Sequence, residues 1–403
     1  MSEEKLVPKL RFSGFTDEWN EVTLNDVATF SKGKGISKND ISDYGIECVR
    51  YGELYTKYNE MIYNVESKTN LDKNELKLSE KDDILIPCSG ETAIDLATAS
   101  CIQKDQVAIG GDITVIKTDQ YAPFITYYLN QKKTEIAKYA QGVSIVHLYP
   151  KDFKVMNIKI PSITEQKKII ALLEEISKKE RLLESKYQEY QDFKKFLMQQ
   201  IFAQKLRFKN FDDEWVQVKL KDIVERVKRK NTDLNSNLVL TISAEHGLIN
   251  QEEFFNKIVA SKSLKDYYLI KNGEFAYNKS YSHGYPYGAI KRLDNYSQGV
   301  LSSLYICFKP TKVNSDFLKE YFETNFWHKE IYSIAVEGAR NHGLLNININ
   351  DFFNTKHYIP PSYEEQEEIA KFFKMFNLKI NSINNELDLA KNFKKGLLQQ
   401  MFI

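Results

Sequence analysis

The sequence of 403 residues lacks the short signatures that announce catalysis. It contains no G-x-x-x-x-G-K-[ST] cradle for a nucleoside triphosphate, no H-E-x-x-H metal pair, no G-x-S-x-G elbow and no G-x-G-x-x-G turn. Cysteine is scarce: Cys48, Cys88, Cys101 and Cys307 stand far apart without a C-x-x-C pair, which excludes a zinc knuckle and predicts a reduced, cytoplasmic chain. No apolar run approaches the ~18 residues a membrane span requires, and residues 1–10 are charged, unlike a signal peptide. An excess of one charge is also missing. Lys+Arg 56 against Asp+Glu 55 gives a net charge of +1, which argues against a simple polybasic binder but leaves room for one with cations on one face.

Two partial enzyme matches fail on inspection. Pro360-Pro361-Ser362-Tyr363 approximates the loop of adenine methyltransferases, yet Ile359 stands where an amide or acid must hold the base. Pro150, Asp152, Glu165 and Lys167 approximate the spaced acid-x-Lys pattern of metal-dependent nucleases, yet a second copy of that stretch carries Glu367 in place of the lysine. The histidines His147, His246, His283, His328, His342 and His357 form no nucleophile-base spacing. The chain is expected to do no chemistry itself.

What is present is a duplication. Residues 161–202 return as 361–402 at an offset of 200 (366 − 166) with 13 of 42 positions identical. In both copies apolar residues step by four and three. The first stripe is Ile169, Leu173, Ile176, Glu180, Leu183, Tyr187, Tyr190, Lys194, Leu197, Ile201, and the second is Ile369, Phe373, Phe376, Ile380, Ile383, Leu387, Ala390, Lys394, Leu397, Met401. A stripe this regular predicts two coiled-coil helices of roughly 39 residues, about 58 Å long, zipped against each other. Pro161 and Pro361, followed by Glu165-Gln166 and Glu365-Gln366, suit the first turns of these helices.

A second repeat opens each half. Residues 10–27 return as 206–223, offset 196 (206 − 10), with 10 of 18 identical and the shared pattern L-R-F-x-x-F-x-D-E-W. Such an aromatic cluster is expected to pack the start of each half against a core. Between the repeats lie residues 20–160 and 216–359, similar in length and nearly unrelated in sequence. Short apolar runs at 46–50, 83–87 and 107–116, punctuated by glycines, predict strands in the first insert, with helix around 123–139. The second should have strands at 237–243, 274–278 and 300–308 and a helix at 317–334. Each insert closes on a glycine and a histidine, Gly142 and His147 or Gly338 and His342, before an Asp-Phe pair. The fold class is α+β: two α/β modules joined by two long antiparallel helices, pseudo-two-fold symmetric. The divisions expected are 1–160, 161–203, 204–359 and 360–403.

Both inserts are equipped to bind. Residues 31–38 place Lys32, Lys34 and Lys38 on a flexible loop where amides and ammonium groups reach phosphates. Arg50-Tyr51 and Ser89 follow strands, residues 226–230 are basic, and residues 278–288 mix amide, cation and aromatic groups. Asn and Arg suit bidentate reading of base edges. The candidates for DNA contact are therefore Lys32, Lys34, Lys38, Arg50, Tyr51, Ser89, Asn278, Lys279, Tyr281, His283, Tyr285, Arg340 and Asn341.

The L-R-F-x-x-F-x-D-E-W openings, Glu-Gln helix starts, heptad helices and F-K-K-x-L-x-Q-Q-x-F exits, all in duplicate, resemble the specificity subunit of Type I restriction-modification systems over essentially the whole chain. The resemblance implies two target recognition domains, each reading one half of a split sequence on double-stranded DNA. It also implies helices that set the spacing and dock two methyltransferase subunits, which use S-adenosylmethionine, with restriction subunits that use ATP and Mg. Partner-docking or spacer roles then fall to Glu165, Gln166, Lys194, Lys195, Gln199, Glu365, Gln366, Lys394, Lys395 and Gln399. Two other readings fit the residues alone: a coiled-coil scaffold without DNA specificity, and a stand-alone DNA-modifying enzyme. The second copy ends where the first runs on into Leu206, so the chain is expected to be quasi-circular.

Overall fold

The four-three stripes fold into two long helices, Ile163–Phe202 and Tyr363–Met401, in a computed structural model whose described residues are 5–141, 146–244, 246–257, 263–280, 284–335 and 345–403. The prolines do not lie in the first turns as expected. Ser162 and Ser362 cap the helices instead, their Oγ atoms accepting from Glu165 N at 3.4 Å and Glu365 N at 3.2 Å, with the prolines one residue earlier. Pro161 and Pro360 directly follow the strands Asn157–Ile160 and Lys356–Ile359, and having no N–H they cannot donate to a longer ladder.

The chain divides into two units, Met1–Glu184 with Asn385–Ile403, and Ser185–Asn384. Each contains one insert and one end of each long helix. In unit 1 the helix ends run antiparallel, Lys391 Nζ lying 2.8 Å from Glu184 Oε1 and Lys394 Nζ 3.6 Å from Glu180 Oε2. The polar breaks in the stripes therefore answer each other. In unit 2 the other two ends pair in the same sense, with Phe193 edge-on to Phe376 at 5.8 Å and Lys194 Nζ donating to Asn377 Oδ1 at 2.7 Å.

An antiparallel ribbon closes each insert at its base. In unit 1 it is Asn20–Thr23 with Asn157–Ile160, Val22 facing Ile158. In unit 2 it is Val216–Lys219 with Lys356–Ile359, Val218 facing His357. Neither ribbon was expected. Beyond the ribbon, unit 1 has a five-stranded sheet in the order Ala28–Lys32, Ile113–Thr118, Ile84–Pro87, Ser100–Ile102, Met61–Ile62, parallel only at the last pair. A second sheet orders Ala108–Ile109, Ile46–Val49, Ser67–Thr69 and Ile41–Ser42. Unit 2 has a four-stranded antiparallel sheet, Val224–Arg226, Ile306–Pro310, Phe275–Asn278, Ala289–Arg292, and two further ribbons.

Two expectations need correcting. The run 300–308 is two strands, Gln298–Leu301 and Ile306–Pro310, because Tyr305 N turns back to Ser302 O at 3.1 Å. The helix expected over 317–334 is also two, Ser315–Phe322 and His328–Ile334. Thr324 Oγ1 donates to Tyr321 O at 2.6 Å and Trp327 Nε1 to Phe322 O at 3.2 Å, taking up carbonyls that a continuous helix would use.

Candidate nucleic-acid interface

In unit 1, glycines bring the loops into backbone contact. Gly33 N donates to Ile113 O at 3.0 Å and Lys34 N to Ile109 O at 2.9 Å. A Cβ on Gly33 would fall 1.9 Å from Gly110 O, so no other residue lets these strands cross. Gly110 N donates in turn to Val49 O at 2.8 Å, and a Cβ on Gly110 would lie 3.4 Å from Arg50 Cα. The lysine loop, the glycine turn and Arg50 thus meet. The loop is pinned rather than flexible: Ile36 is buried with Cys48 and Ala108, and Asp40 Oδ2 accepts from Ser37 N at 2.7 Å. Lys34 and Lys38 are exposed on it, and Lys32, expected on the loop, is exposed at the end of the strand Ala28–Lys32, opposite Thr114.

Arg50 leads into the short helix Tyr51–Thr56 and is backed by a buried carboxylate. Glu53 accepts from Arg50 N at 2.9 Å and from Ser67 Oγ, and lies 3.2 Å from Lys57 Nζ and 3.8 Å from Arg50 Nη2. Arg50 Nε is buried without a hydrogen-bond partner, whereas its neighbour Tyr51 is exposed. Ser89 is buried, which removes it as a direct DNA contact; its Oγ lies 3.2 Å from His147 Nδ1. His147 is half-buried, stacks on the exposed Tyr149 with ring centres 6.2 Å apart, and belongs to this face. Composition gave no sign of that pair beyond the matched histidines at the ends of the inserts.

In unit 2 the basic run is largely consumed internally. Arg229 Nη2 donates to both oxygens of Glu274 at 2.7 and 2.8 Å, and Lys230 Nζ sits 4.0 Å from the centre of the Tyr268 ring. Asn278 ends a strand, and its Oδ1 accepts from Ser280 N at 3.0 Å. Gly288 crosses so close that a Cβ would lie 2.0 Å from Asn278 O. Lys279 is half-buried, its carbonyl accepting from Leu345 N at 2.9 Å, and Tyr285 Oη donates to Ala244 O at 3.5 Å. Tyr281, His283, Arg340 and Asn341, with Gly142, Gly338 and His342, lie outside the described residues.

The duplicated ends of the frame are mostly interior. Glu165, Gln166, Glu365 and Gln366 are all buried, so they present no surface to a partner. Arg11 donates from Nε and Nη2 to the two oxygens of Glu165 at 2.8 Å each, and from Nη2 to Asp17 O at 2.6 Å. Arg207 holds Glu365 at 2.9 Å twice and reaches Asp213 O. The glutamines seat the inserts: Gln166 Oε1 accepts from Tyr121 N at 3.1 Å, and Gln366 Oε1 from Asn314 N at 2.8 Å. Lys194 and Lys394 are also engaged within their units, Lys194 Nζ lying 3.2 Å from Glu320 Oε2. Lys195, Lys395 and Gln399 are exposed, and Gln199 Nε2 donates weakly to Asn325 Oδ1 at 3.4 Å.

The cysteines are free and buried, and burial pushes the Cys48 thiol up to about 11 and the Cys307 thiol up to about 12, so neither is a nucleophile at neutral pH. Among the described residues no cluster of three or more His, Cys, Asp or Glu could hold a metal ion, and no helix is long and apolar enough to cross a membrane.

The fold is thus a duplicated frame that carries two dissimilar α/β modules. Residues 16–190 match the family model for the Type I restriction modification DNA specificity domain. The S subunit of a Type I restriction-modification system from M. genitalium shares the fold, with a TM-score of 0.63 at 14% identity over 98% of this chain and 99% of that one. A chain from a study of complex assembly and conformational transition of the type I R-M system aligns over 96% of this chain and 98% of that one, with a TM-score of 0.51 at 14% identity. The similarity to the Type I restriction modification DNA specificity domain thus lies in residues 16–190, and the fold of these S subunits extends over nearly the whole chain.

Proposed function

We propose that each module reads one half of a split target on double-stranded DNA and that the long helices hold the two halves at a fixed spacing. The observation that carries this reading is the contrast between frame and content. The same Arg-Glu clasp, glutamine anchor and ribbon recur in both units, while the loops they hold up differ almost completely. A fixed mount with variable heads suits a bipartite site whose geometry mirrors the protein's own approximate two-fold repeat.

The chemistry then belongs to partners. Methyltransferase subunits carrying S-adenosylmethionine and restriction subunits using ATP and Mg dock on the helix surface that the inserts leave uncovered. Large apolar side chains there support such docking: Leu182, Leu389 and Phe393 in unit 1, and Phe193, Phe196 and Met375 in unit 2, are each more than half exposed at 51–68%.

Deleting one heptad from the middle of each long helix tests the reading. The expected result is methylation or binding at the same two half-site sequences with an altered number of bases between them. Altered half-site sequences, or an unchanged spacer in a folded deletion variant, would count against it.

A further inference from the structure

In unit 1 the residue His147 is fixed from three sides and leaves one ring nitrogen free. Its backbone is clamped by Gln141, His147 N donating to Gln141 O at 2.8 Å and Gln141 N to His147 O at 2.9 Å. On the other edge the strand Val146–His147 pairs antiparallel with Ser89–Gly90, and Leu148 N donates to Cys88 O at 3.0 Å. The ring lies against Tyr149 with 22° between the planes, and its Nδ1 meets Ser89 Oγ at 3.2 Å. Nε2 has no partner among the described residues, and the half-buried ring is not sealed from solvent.

Ser89 decides what that nitrogen carries. It is buried and makes no other side-chain hydrogen bond among the described residues. A hydroxyl brings one proton, and a buried proton without an acceptor is the costlier orphan. Ser89 therefore donates to Nδ1, which places the ring proton on Nε2. The outward atom is an N–H donor held in a fixed direction.

This donor stands on the face that carries the lysine loop and Arg50. Cys88 N donates to Asp112 O at 2.8 Å, and a Cβ on Gly111 would lie 3.2 Å from Gly35 Cα, so the chain leading into Ser89 runs beside the glycine turn that the loop crosses. A Cβ on Gly90 would lie 3.7 Å from Tyr55 Cε1, on the short helix that Arg50 leads into. Phosphate contacts set register and base-edge contacts set sequence, and the donor stands among cations suited to the first.

We propose that His147 reads a guanine in one half-site, with Ser89 as its positioning residue. The inference rests on reading this insert as a recognition module. In the major groove guanine presents two neighbouring acceptors, N7 and O6, to a single donor. Adenine sets its own N6 donor beside N7, cytosine offers a donor, and thymine pairs one acceptor with a methyl group.

The test selects binders for the full-length chain from duplexes randomised over both half-sites, with a melting curve for each variant. The native chain should prefer guanine at one position of one half-site by at least about fivefold over any other base. His147→Ala should be indifferent at that position and unchanged elsewhere. Ser89→Ala frees Nδ1 to hold the proton, so it should admit cytosine or adenine there, whose amino groups donate to a bare Nε2. His147→Gln keeps an amide that both donates and accepts, so its preference should move to adenine, and this variant decides the matter if His147→Ala does not fold. Guanine retained by the folded His147 variants, a loss spread over both half-sites, or a relaxed position where the native base is not guanine overturns the assignment. Ser89→Ala selecting as the native chain does overturns the positioning role. A native chain that selects no sequence sinks the recognition reading and this one with it, whereas a native chain that selects one and is unaffected by the histidine variants sinks the histidine alone.

Discussion

Arg11 and Glu165, 154 residues apart, are joined by two hydrogen bonds of 2.8 Å, and Arg207 repeats the grip on Glu365 with two of 2.9 Å. Each carboxylate is almost wholly buried at the start of a long helix, so the clasp ties the opening of each half to the frame. The copies differ in one respect: Trp215 Nε1 also donates to Glu365 Oε1, at 3.2 Å, while Trp19 Nε1 is buried without a partner. Truncating the arginine leaves a buried carboxylate unpaired, an effect of about 3–5 kcal/mol. Arg11→Ala should therefore destabilise more than Arg207→Ala, because Glu365 keeps its tryptophan. Denaturant unfolding of the two variants checks the order, and Lys at either position should recover only part of the loss, since it lacks the bidentate fork.

The duplicated frame was legible because its identical residues interlock: Arg and Glu, Gln and backbone amide, Phe and module helix recur as sets. The long helices were legible from period alone. Burial of Glu165 and Gln166 was not, because a glutamate on an amphipathic helix reads as a surface residue until its arginine, far away in sequence, is placed beside it. Local breaks were equally hidden. Nothing in residues 317–334 announces that Thr324 and Trp327 cap a carbonyl each. On the candidate face, Lys32, Lys34 and Arg50 stand out in the sequence by charge, whereas Ser89 stands behind His147, a relation set by strand pairing between the two.

Gly33 carries the crossing of the lysine loop over Gly110. Gly33→Ala places a methyl group 1.9 Å from a carbonyl oxygen that cannot turn away, while Gly35→Ala meets nothing within 4 Å. The first should lose about 1–3 kcal/mol of stability and weaken binding at one half-site; the second should do neither. Melting curves and half-site binding assays on the pair give the answer, and equal behaviour would mean that the loops are not held by this contact.

Lys34 and Arg50 should fail in different ways. Lys34 is exposed on the loop, so Lys34→Ala should weaken binding evenly across sequences and lower the salt slope of log K by about one. Arg50, backed by buried Glu53, is held in place, so Arg50→Ala should cost about 1–3 kcal/mol at one half-site only. Salt titrations on matched and mismatched duplexes separate the two, and affinity unchanged on every duplex would remove either residue from the interface.

His357 makes unit 2 sensitive to acid. The ring sits between Tyr321 Oη, 3.0 Å from Nδ1, and Thr355 Oγ1, 2.8 Å from Nε2, and burial lowers its pKa to about 4. In the unfolded chain the same imidazole titrates near ~6.5, so between these values only the unfolded state binds the proton. Stability from this group is complete above that window and falls as the pH drops through it, by on the order of 3 kcal/mol in all. His357→Gln should be less stable at neutral pH yet lose less between pH ~6.5 and ~4 than the native chain. Ile158 holds the matching ribbon position in unit 1, so this dependence belongs to unit 2 alone.

The ends of the chain are held as the middle is. Leu10 N donates to Gln400 O at 2.9 Å, and Leu206 N donates to Gln200 O at 3.2 Å, so the first opening repeat meets the second exit as the second opening repeat meets the first. Between Gln200 and Leu206 run five residues, 201–205; after Gln400 come three, 401–403, so a two-residue bridge from Ile403 to Leu10 reproduces the spacing. Gln204 has a φ of +58°, which marks the first bridge residue for glycine or asparagine. A permutant joined by Gly-Lys and opened between Gln204 and Lys205 should fold cooperatively and keep both half-site preferences. It loses residues 1–9, and with them the bond from Trp19 N to Leu6 O of 2.8 Å, so a melting temperature lower by about 5 °C is expected. A permutant that is soluble and helical yet unfolds without cooperativity would show that the covalent link at 203–205, and not the paired repeats, holds the second half to the first.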